Sequence, residues 1–313
     1  ICFVSIIGTI EFRKQITGVN SIRMQELSEH DVQLIYNSIN SRLDLLESIG
    51  KDISNRVSKG EGSMPELLHS DYTLVSGVDK LAMLSSDGAM LTNSYLHETR
   101  LDITELCAEK GTRFVCRFDN VNDNIPDQRK EYILYSVKTK PIEFDGHIYE
   151  YLCCFIKPGE LENELKSDSY QGKGFSSVID YEGNYILNIN RSHSFLARDN
   201  VFNKIEKVNG FSSVDEFKTK LTATTTIMNV LATAKINSDV AEEYYIVITP
   251  MDSVDWFFVS MVPSSVFEDQ TKGLMEIVGI LFAVVGFALA CVIIFAIRQS
   301  RQQTELKNKE QTD

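Results

Sequence analysis

The apolar run Ile277–Ile297 constrains the possible structure of this chain more than any other feature of the sequence. It contains 21 residues and no charged side chain. As an α-helix it would rise about 31 Å, which matches the hydrocarbon thickness of a lipid bilayer. A buried core helix is the alternative, but such a helix usually keeps a polar face, and this run is apolar in every direction. The sequence therefore predicts a transmembrane helix over residues 274–297.

The charges that flank this run predict its orientation. Arg298 and Arg301 follow it directly, whereas acidic side chains outnumber basic ones in residues 268–276. Lysine and arginine collect on the cytoplasmic side of membrane helices. We therefore expect residues 298–313 to start a cytoplasmic signalling helix. Residues 13–272 are then extracellular, and the protein lies in the cell membrane.

The chain opens on a second, shorter apolar run, Ile1–Ile10. Its ten residues are too few to span a bilayer, because a spanning helix needs about 20. We interpret residues 1–12 as the end of a truncated first transmembrane helix. The core of a cut signal peptide is the alternative.

Composition and motif content exclude several classes of function. The formal net charge is −13, so the sequence lacks the basic surface that nucleic-acid binding requires. It contains no nucleophile-elbow, zinc-protease or Walker A motif. Its cysteines lack the paired spacing of zinc sites. We therefore predict no catalytic site, no bound metal, no cofactor and no nucleic-acid partner for this chain.

One long amphipathic helix is predicted over residues 22–57. At about 36 residues it would extend about 54 Å, which is longer than one compact domain needs. Glycine and serine in Ser58–Pro65 end it, and we assign residues 13–62 to an extracellular stalk helix and linker. Its apolar residues recur every three or four positions, as on one face of a helix: Val32, Ile35, Ile39, Leu43, Leu46, Ile49, Ile53 and Val57.

Two similar α+β units are predicted to follow, a membrane-distal unit over residues 63–168 and a membrane-proximal unit over residues 169–268. Each begins with a hairpin and closes with two longer strands, so we expect two antiparallel sheets, each partly covered by helices. Strands are predicted at 80–85, 89–93, 113–118, 132–140, 147–156, 175–181, 185–190, 244–250 and 254–262, and short helices at 158–166, 201–208 and 214–220.

Three segments carry a resemblance to a known family. They are the hairpin Val178–Leu187, the closing strand Asp255–Pro263 and the turn Pro141–Gly146. In their order and spacing they resemble the double Cache family, the PAS-like extracellular sensor domains of bacterial transmembrane signalling receptors. The resemblance implies a long helix beside two PAS-like sheets and a small-ligand pocket beneath the distal sheet. The aromatic–Arg–Trp motif of the family's amino-acid-binding members is not matched, because the only tryptophan, Trp256, lies in the second unit.

Candidate ligand-binding residues lie in the distal unit. Arginine pairs well with carboxylates, and tyrosine offers an apolar body with a polar tip, as ligand pockets require. The alternative is that the arginines are solvated surface charges, and that the tyrosines and Trp256 are ordinary sheet or core residues. The predicted distal-pocket residues are Arg113, Arg117, Arg129, Tyr132, Tyr135, Tyr149 and Tyr151.

Together these features predict extracellular sensing of a small molecule and signalling across the membrane, by a protein that forms a homodimer. We expect the output to be a histidine kinase. A diguanylate cyclase is the alternative, and a chemoreceptor is a weaker one because residues 298–313 lack the proline of a HAMP relay. A membrane-tethered exported enzyme and an adhesion module are hypotheses from other classes. The enzyme predicts clustered acid–base groups in a cleft, and the adhesion module predicts an exposed apolar patch without a pocket.

Overall fold

A computed structural model describes residues 2–71, 75, 77–92, 96–98, 106, 109–120, 130–165, 174–189, 200–235, 240–251 and 254–310. The chain divides into two compact units. One consists of residues 24–262, and the other consists of residues 1–23 together with residues 263–313.

The helices and strands follow the predicted α+β order. The helices are α1 (Cys2–Ser58), α2 (Met64–Asp71), α3 (Pro158–Glu164), α4 (Val214–Thr222) and α5 (Ser264–Glu310). The strands are β1 (Val78–Ser85), β2 (Ala89–Thr92), β3 (Leu96–Glu98), β4 (Arg113–Asn120), β5 (Lys130–Phe144), β6 (His147–Ile156), β7 (Phe175–Asp180), β8 (Tyr185–Asn188), β9 (Ile205–Val208), β10 (Met228–Ala234), β11 (Glu242–Met251) and β12 (Trp256–Pro263).

The strands form two six-stranded sheets that share the central order of second, first, last, fifth and fourth strand and differ in where the third strand lies. The distal sheet has the order β3-β2-β1-β6-β5-β4, and the proximal sheet has the order β8-β7-β12-β11-β10-β9. The pairs β1–β6, β5–β6, β7–β12 and β10–β11 are antiparallel. The three predicted hairpins, β1–β2, β5–β6 and β7–β8, are confirmed. Each sheet therefore pairs its first strand with its last strand in the middle; the hairpin β7–β8 forms one edge of the proximal sheet, whereas β3 lies outside the hairpin β1–β2 in the distal sheet.

The apolar stripe of α1 packs against one face of both sheets. Leu46 and Ile53 of this helix are fully buried, in a continuous core that also holds Tyr135 of the distal sheet and Phe258 of the proximal sheet. We call the face of each sheet that packs on α1 its inner face, and the opposite one its outer face. The predicted long helix is confirmed, and its length is explained by the two sheets that it supports. Trp256 belongs to the same core, as predicted by the alternative that it is an ordinary core residue.

The outer faces of the two sheets carry separate clusters. On the proximal sheet, Phe217 and Leu221 of α4 are fully buried in a second core with residues of β7, β11 and β12. Ser213 caps the start of α4, since its side chain accepts a hydrogen bond from the Glu216 backbone nitrogen. The outer face of the distal sheet carries a third cluster, from which the candidate functional site is built.

One predicted helix is wrong, and three observed elements, α2, β3 and β10, were not predicted. Residues 201–208 do not form a helix: Val201–Lys204 is a single 3-10 turn, and Ile205–Val208 is the edge strand β9. The segment is too short to sustain a helix by itself, and pairing of β9 with β10 stabilises the extended form instead. Strand β10 was not predicted, because Met228–Ala234 mixes apolar, small and polar residues without clear alternation.

Helix α5 contains the predicted membrane-spanning segment. Residues Glu276–Arg301 have a mean hydropathy of 3.1 in their most apolar window, and that window is unburied in the structure. By length and composition this is the one segment among the described residues that can cross a bilayer. The role of residues 1–12 as the end of a first membrane helix stays a prediction.

Candidate functional site

The candidate site is the outer face of the distal sheet. Alternate residues of β1, β4, β5 and β6 point to this face and leave their neighbours to face α1. They bury a compact, largely aromatic set with few polar atoms, which is the usual lining of small-molecule sites. We call this set the outer cluster: Ala82, Leu84, Phe114, Cys116, Tyr132, Leu134, Tyr151, Cys153 and Phe155.

A polar group stands at one end of the outer cluster. The Tyr132 hydroxyl donates a hydrogen bond to Oδ2 of Asp79 over 2.9 Å, and Nζ of Lys157 lies 2.5 Å from Oδ1 of the same carboxylate. Nζ of Lys80 lies 5.8 Å from the centre of the Tyr132 ring. Burial, followed by the hydrogen bond to Asp79, raises the pKa of Tyr132 to about 12, so this hydroxyl stays protonated and donates at neutral pH.

The other end of the cluster carries a second lysine–tyrosine pair. Nζ of Lys138 lies 5.8 Å from the centre of the Tyr151 ring, a distance typical of cation–π contacts. Between the two ends, Sγ of Cys153 donates a weak hydrogen bond of 3.3 Å to Oγ of Ser136. Ammonium groups therefore stand at both ends of a buried, partly aromatic cluster. This arrangement favours a small ligand that has an anionic group on an apolar body.

The carboxylate at the first end predicts a dependence of stability on pH. Partial burial raises the pKa of Asp79, but hydrogen bonds from Lys157 and Tyr132 outweigh it and lower the pKa below the ordinary 3.8. Such a group stabilises the fold above its unfolded-state pKa, and this contribution is lost as the pH falls through its folded-state pKa. We expect the thermal midpoint of the wild type to fall more steeply than that of Asp79→Asn between about pH 4 and pH 2.

Circular-dichroism melts at each pH measure this difference. Asp52→Asn is the control for net charge, because the Asp52 side chain on α1 is 58% accessible and its exposed ion pair with Arg56 contributes little to stability. Its curve should run parallel to that of the wild type. A parallel curve for Asp79→Asn as well would contradict the prediction.

The structure divides the four predicted tyrosines between two environments. Tyr132 and Tyr151 lie together in the outer cluster. Tyr135 and Tyr149 lie in the core that α1 shares with the sheets, and neither hydroxyl has a hydrogen-bond partner among the described residues. Burial raises the pKa of Tyr135 strongly. A ligand role in the outer cluster therefore stays a prediction for Tyr132 and Tyr151.

Two of the three predicted arginines, Arg113 and Arg117, do not lie on the outer face. Nη1 of Arg113 lies 2.8 Å from carboxylate oxygens of both Asp44 and Glu47 on α1. Arg117 pairs with Glu131 over 2.9 Å and donates to a backbone carbonyl of β8. Both alternate with the outer-cluster residues of β4, so the pleat turns them to the inner side. The predicted anchor Arg129 lies outside the described residues.

Sequence reasoning missed the charged residues that do flank the outer cluster: Asp79, Lys80, Lys138 and Lys157. A signal for two of them was present. Lys80 has the same parity as Ala82 and Leu84 on β1, and Lys138 has the same parity as Tyr132 and Leu134 on β5. Alternation along the strands could therefore have placed both lysines on the outer face.

The thiols of the distal unit offer no metal site in the described part of the chain. Cys116, Cys153 and Cys154 are buried thiols, and burial raises the pKa of the Cys154 thiol to about 12, which opposes the thiolate form that metals require. No group of three or more histidine, cysteine, aspartate or glutamate side chains suited to a metal ion occurs among the described residues.

Comparison with known proteins identifies the fold. No family model matches the sequence, and no curated protein matches it. Solved structures do match. The ligand-binding domain of the Pseudomonas aeruginosa PAO1 amino-acid chemoreceptor PctB, in complex with L-Arg, has a TM-score of 0.54 at 11% identity, covering 84% of this chain and 97% of that chain. The ligand-binding domain of the Pseudomonas fluorescens chemoreceptor CtaA, in complex with L-leucine, has a TM-score of 0.54 at 12% identity, covering 82% and 98%.

A third structure agrees with these two. The sensory domain of the Campylobacter jejuni chemoreceptor Tlp3 has a TM-score of 0.50 at 13% identity, covering 82% of this chain and 98% of that chain. These are sensory domains of the double Cache type. The protein therefore has the double Cache fold, an α+β fold with a long N-terminal helix and two antiparallel sheets, as the sequence motifs predicted.

Proposed function

We propose that this protein is a transmembrane receptor whose extracellular part binds a small molecule on the outer face of the distal sheet. The observation that carries the proposal is the outer cluster itself, a buried set that includes four aromatic residues and has lysine–tyrosine pairs at both ends. The fold supports it, because the three structures of the same fold are named as ligand-binding or sensory domains. Two of those structures hold L-arginine and L-leucine, so small carboxylates are the first ligands to test.

The rest of the chain supplies a route for the signal under this proposal. The apolar segment of α5 crosses the cell membrane, with residues 13–272 outside and residues 298–313 in the cytoplasm. A homodimer brings two such helices together. Binding that favours one of two arrangements of the extracellular part shifts their populations and so changes the output. We propose a histidine kinase output, with a diguanylate cyclase as the second candidate. A chemoreceptor is the third, because residues 298–313 lack the proline of a HAMP relay.

A ligand screen on the full chain in lipid nanodiscs tests the proposal. The twenty amino acids and a set of short mono- and dicarboxylates are added singly, and thermal unfolding is followed by circular dichroism. A ligand at 100 times its Kd stabilises the folded state by about 2.7 kcal/mol. For an extracellular part of this size, that raises the midpoint by about 5–10 °C. No shift with any compound would count against a carboxylate sensor.

A matched pair of variants then locates the site. Lys138→Gln removes the ammonium group above the Tyr151 ring and should weaken the binding of an anionic ligand about ten-fold. Lys218→Gln is the control: Nζ of Lys218 lies 5.4 Å from the ring centre of Phe202 in the proximal unit, a similar contact far along the chain from the outer cluster. Equal affinities for the two variants would place the ligand away from the outer face.

A further inference from the structure

Helix α3 is placed where it contacts three parts of the extracellular structure. It begins two residues after β6, a central strand of the distal sheet, and its Leu161 is buried. The side chain of Glu164, at its end, pairs with Arg42 of α1. The side chain of Glu162 accepts a hydrogen bond of 2.9 Å from the backbone nitrogen of Asn188 in β8. One short helix thus connects the distal sheet, the long helix and the edge of the proximal sheet.

Helix α3 contacts α1 through an ion pair between Glu164 and the largely buried Arg42, supported by more than one hydrogen bond. The Arg42 side chain is only 10% exposed, whereas that of Glu164 is 48% exposed. Oε1 of Glu164 also accepts hydrogen bonds from Nη1 of Arg42 over 3.3 Å and from Oγ of Ser38 over 3.1 Å. An arginine in such a place depends on its carboxylate, because an unpaired charge there would be costly. These contacts therefore hold Glu164 against the turn of α1 from Ser38 to Arg42.

The start of α3 is tied to the outer cluster. Lys157 is the N-cap residue of this helix, and its ammonium group binds Asp79. The other oxygen of Asp79 accepts the hydrogen bond from Tyr132 of the outer cluster. A continuous chain of polar contacts therefore leads from Tyr132 through Asp79 and Lys157 into α3, and from α3 through Glu164 to Arg42.

We propose that this chain of contacts, which we call the α3 relay, carries a change at the outer face of the distal sheet to α1 and to β8. A ligand whose anionic group competes with Asp79 for Lys157, or that takes the Tyr132 hydroxyl and so shifts the Asp79 carboxylate, would move Lys157 and alter the position of α3. Glu164 and Glu162 then transmit the displacement to the long helix and to the proximal sheet at the same time. The relay rests on the proposed function for its biological input, but its contacts exist without ligand and can be tested without one.

Hydrogen exchange measured by mass spectrometry on the full chain in lipid nanodiscs, without ligand, tests the relay. Tyr132→Phe removes one donor to Asp79 and preserves the ring. We expect about five-fold faster exchange in α3, in the peptide that contains the Asn188 amide and in the turn of α1 from Ser38 to Arg42, because one hydrogen bond is lost upstream of all three. Lys157→Gln should cause the same increases in exchange. Because Lys157 is exposed, this variant does so without disturbing the core.

The matched control is Tyr149→Phe, which removes a tyrosine hydroxyl that has no hydrogen-bond partner among the described residues. It should leave exchange in α3, β8 and α1 unchanged. Glu164→Gln should speed exchange in the α1 turn, and adding Tyr132→Phe to it should produce no further increase there, since both act through one route.

Several results would overturn the relay. Changes confined to β1 and β5, additive effects of Tyr132→Phe and Glu164→Gln on α1, or the same profile for Tyr132→Phe and Tyr149→Phe would each do so. Because no ligand is present, failure here is distinct from failure of the proposed function. A relay that holds while the ligand screen fails would show coupling without the proposed input, and the reverse result would show binding with another route to α1.

Discussion

Replacement of Gly183 by alanine is expected to reduce the free energy of unfolding by about 3 kcal/mol. Gly183 has a φ of +90°, and a Cβ atom on it would lie 2.3 Å from Cδ2 of the buried Phe202 ring. The backbone cannot move aside easily, because the Gly183 nitrogen donates to the Asp180 carbonyl and its own carbonyl accepts from Val201. A left-handed conformation costs a residue with a Cβ about 1–2 kcal/mol, and overpacking costs about 1–3 kcal/mol more.

Gly146→Ala separates these two costs. Gly146 closes the β5–β6 hairpin with a φ of +80°, but nothing lies within 4 Å of the position of its Cβ. This variant should lose only the backbone share, about 1–2 kcal/mol. Chemical unfolding of both variants in detergent, followed by circular dichroism, measures the difference. Equal losses at the two positions would contradict a clash with Phe202.

Leu46→Ala should be similarly damaging, with an expected loss of about 3 kcal/mol. Leu46 is fully buried at the middle of the stripe that α1 presents to the sheets. Truncation removes the transfer free energy of the lost atoms and leaves a cavity that the surrounding helix and strands can fill only in part. The same unfolding measurement applies. A loss below about 1 kcal/mol would show that α1 is not packed as described.

Leu34→Ala is the matched control on the same helix. Leu34 is 46% exposed, so its truncation leaves no enclosed cavity. Surface substitutions of this kind usually change stability by about 0.5 kcal/mol or less. If Leu34→Ala destabilised the protein as much as Leu46→Ala does, the stripe would not be the part of α1 that holds the sheets.

Most of the fold could be predicted because helices and hairpin turns are encoded by residues that are close together in the sequence. The three- and four-residue spacing from Val32 to Val57 predicted α1 without knowledge of its partners. Glycine at the turns Ser86–Gly88, Glu143–Gly146 and Glu182–Asn184 predicted three hairpins, and Gly88, Gly146 and Gly183 all have a positive φ. The candidate site was harder to predict. The sequence gives the chemistry of a tyrosine or arginine in a strand. The role of that side chain depends on which face of the sheet it lies on and on which other elements pack against that face.

The arginines illustrate this limit. Arg113 and Arg117 were attractive as anion anchors, but the pleat of β4 turns them toward α1 and toward the proximal unit, where carboxylates and a carbonyl bind them. Those partners are distant in sequence: Glu131 is 14 residues from Arg117, and Asp44 is 69 residues from Arg113. No local pattern encodes contacts at such separations.

The amino-acid sequence alone was sufficient for the apolar segment of α5, the stripe of α1 and the hairpin turns, because each depends on residues within a few positions of one another. Long-range contacts were needed to make Ile205–Val208 a strand rather than a helix, since only pairing with β10 supplies its hydrogen bonds. They also assemble Tyr132, Asp79, Lys157, Glu164 and Arg42 into one relay. These residues come from β5, β1, the start and end of α3, and α1, and only packing of the sheet on the long helix brings them together.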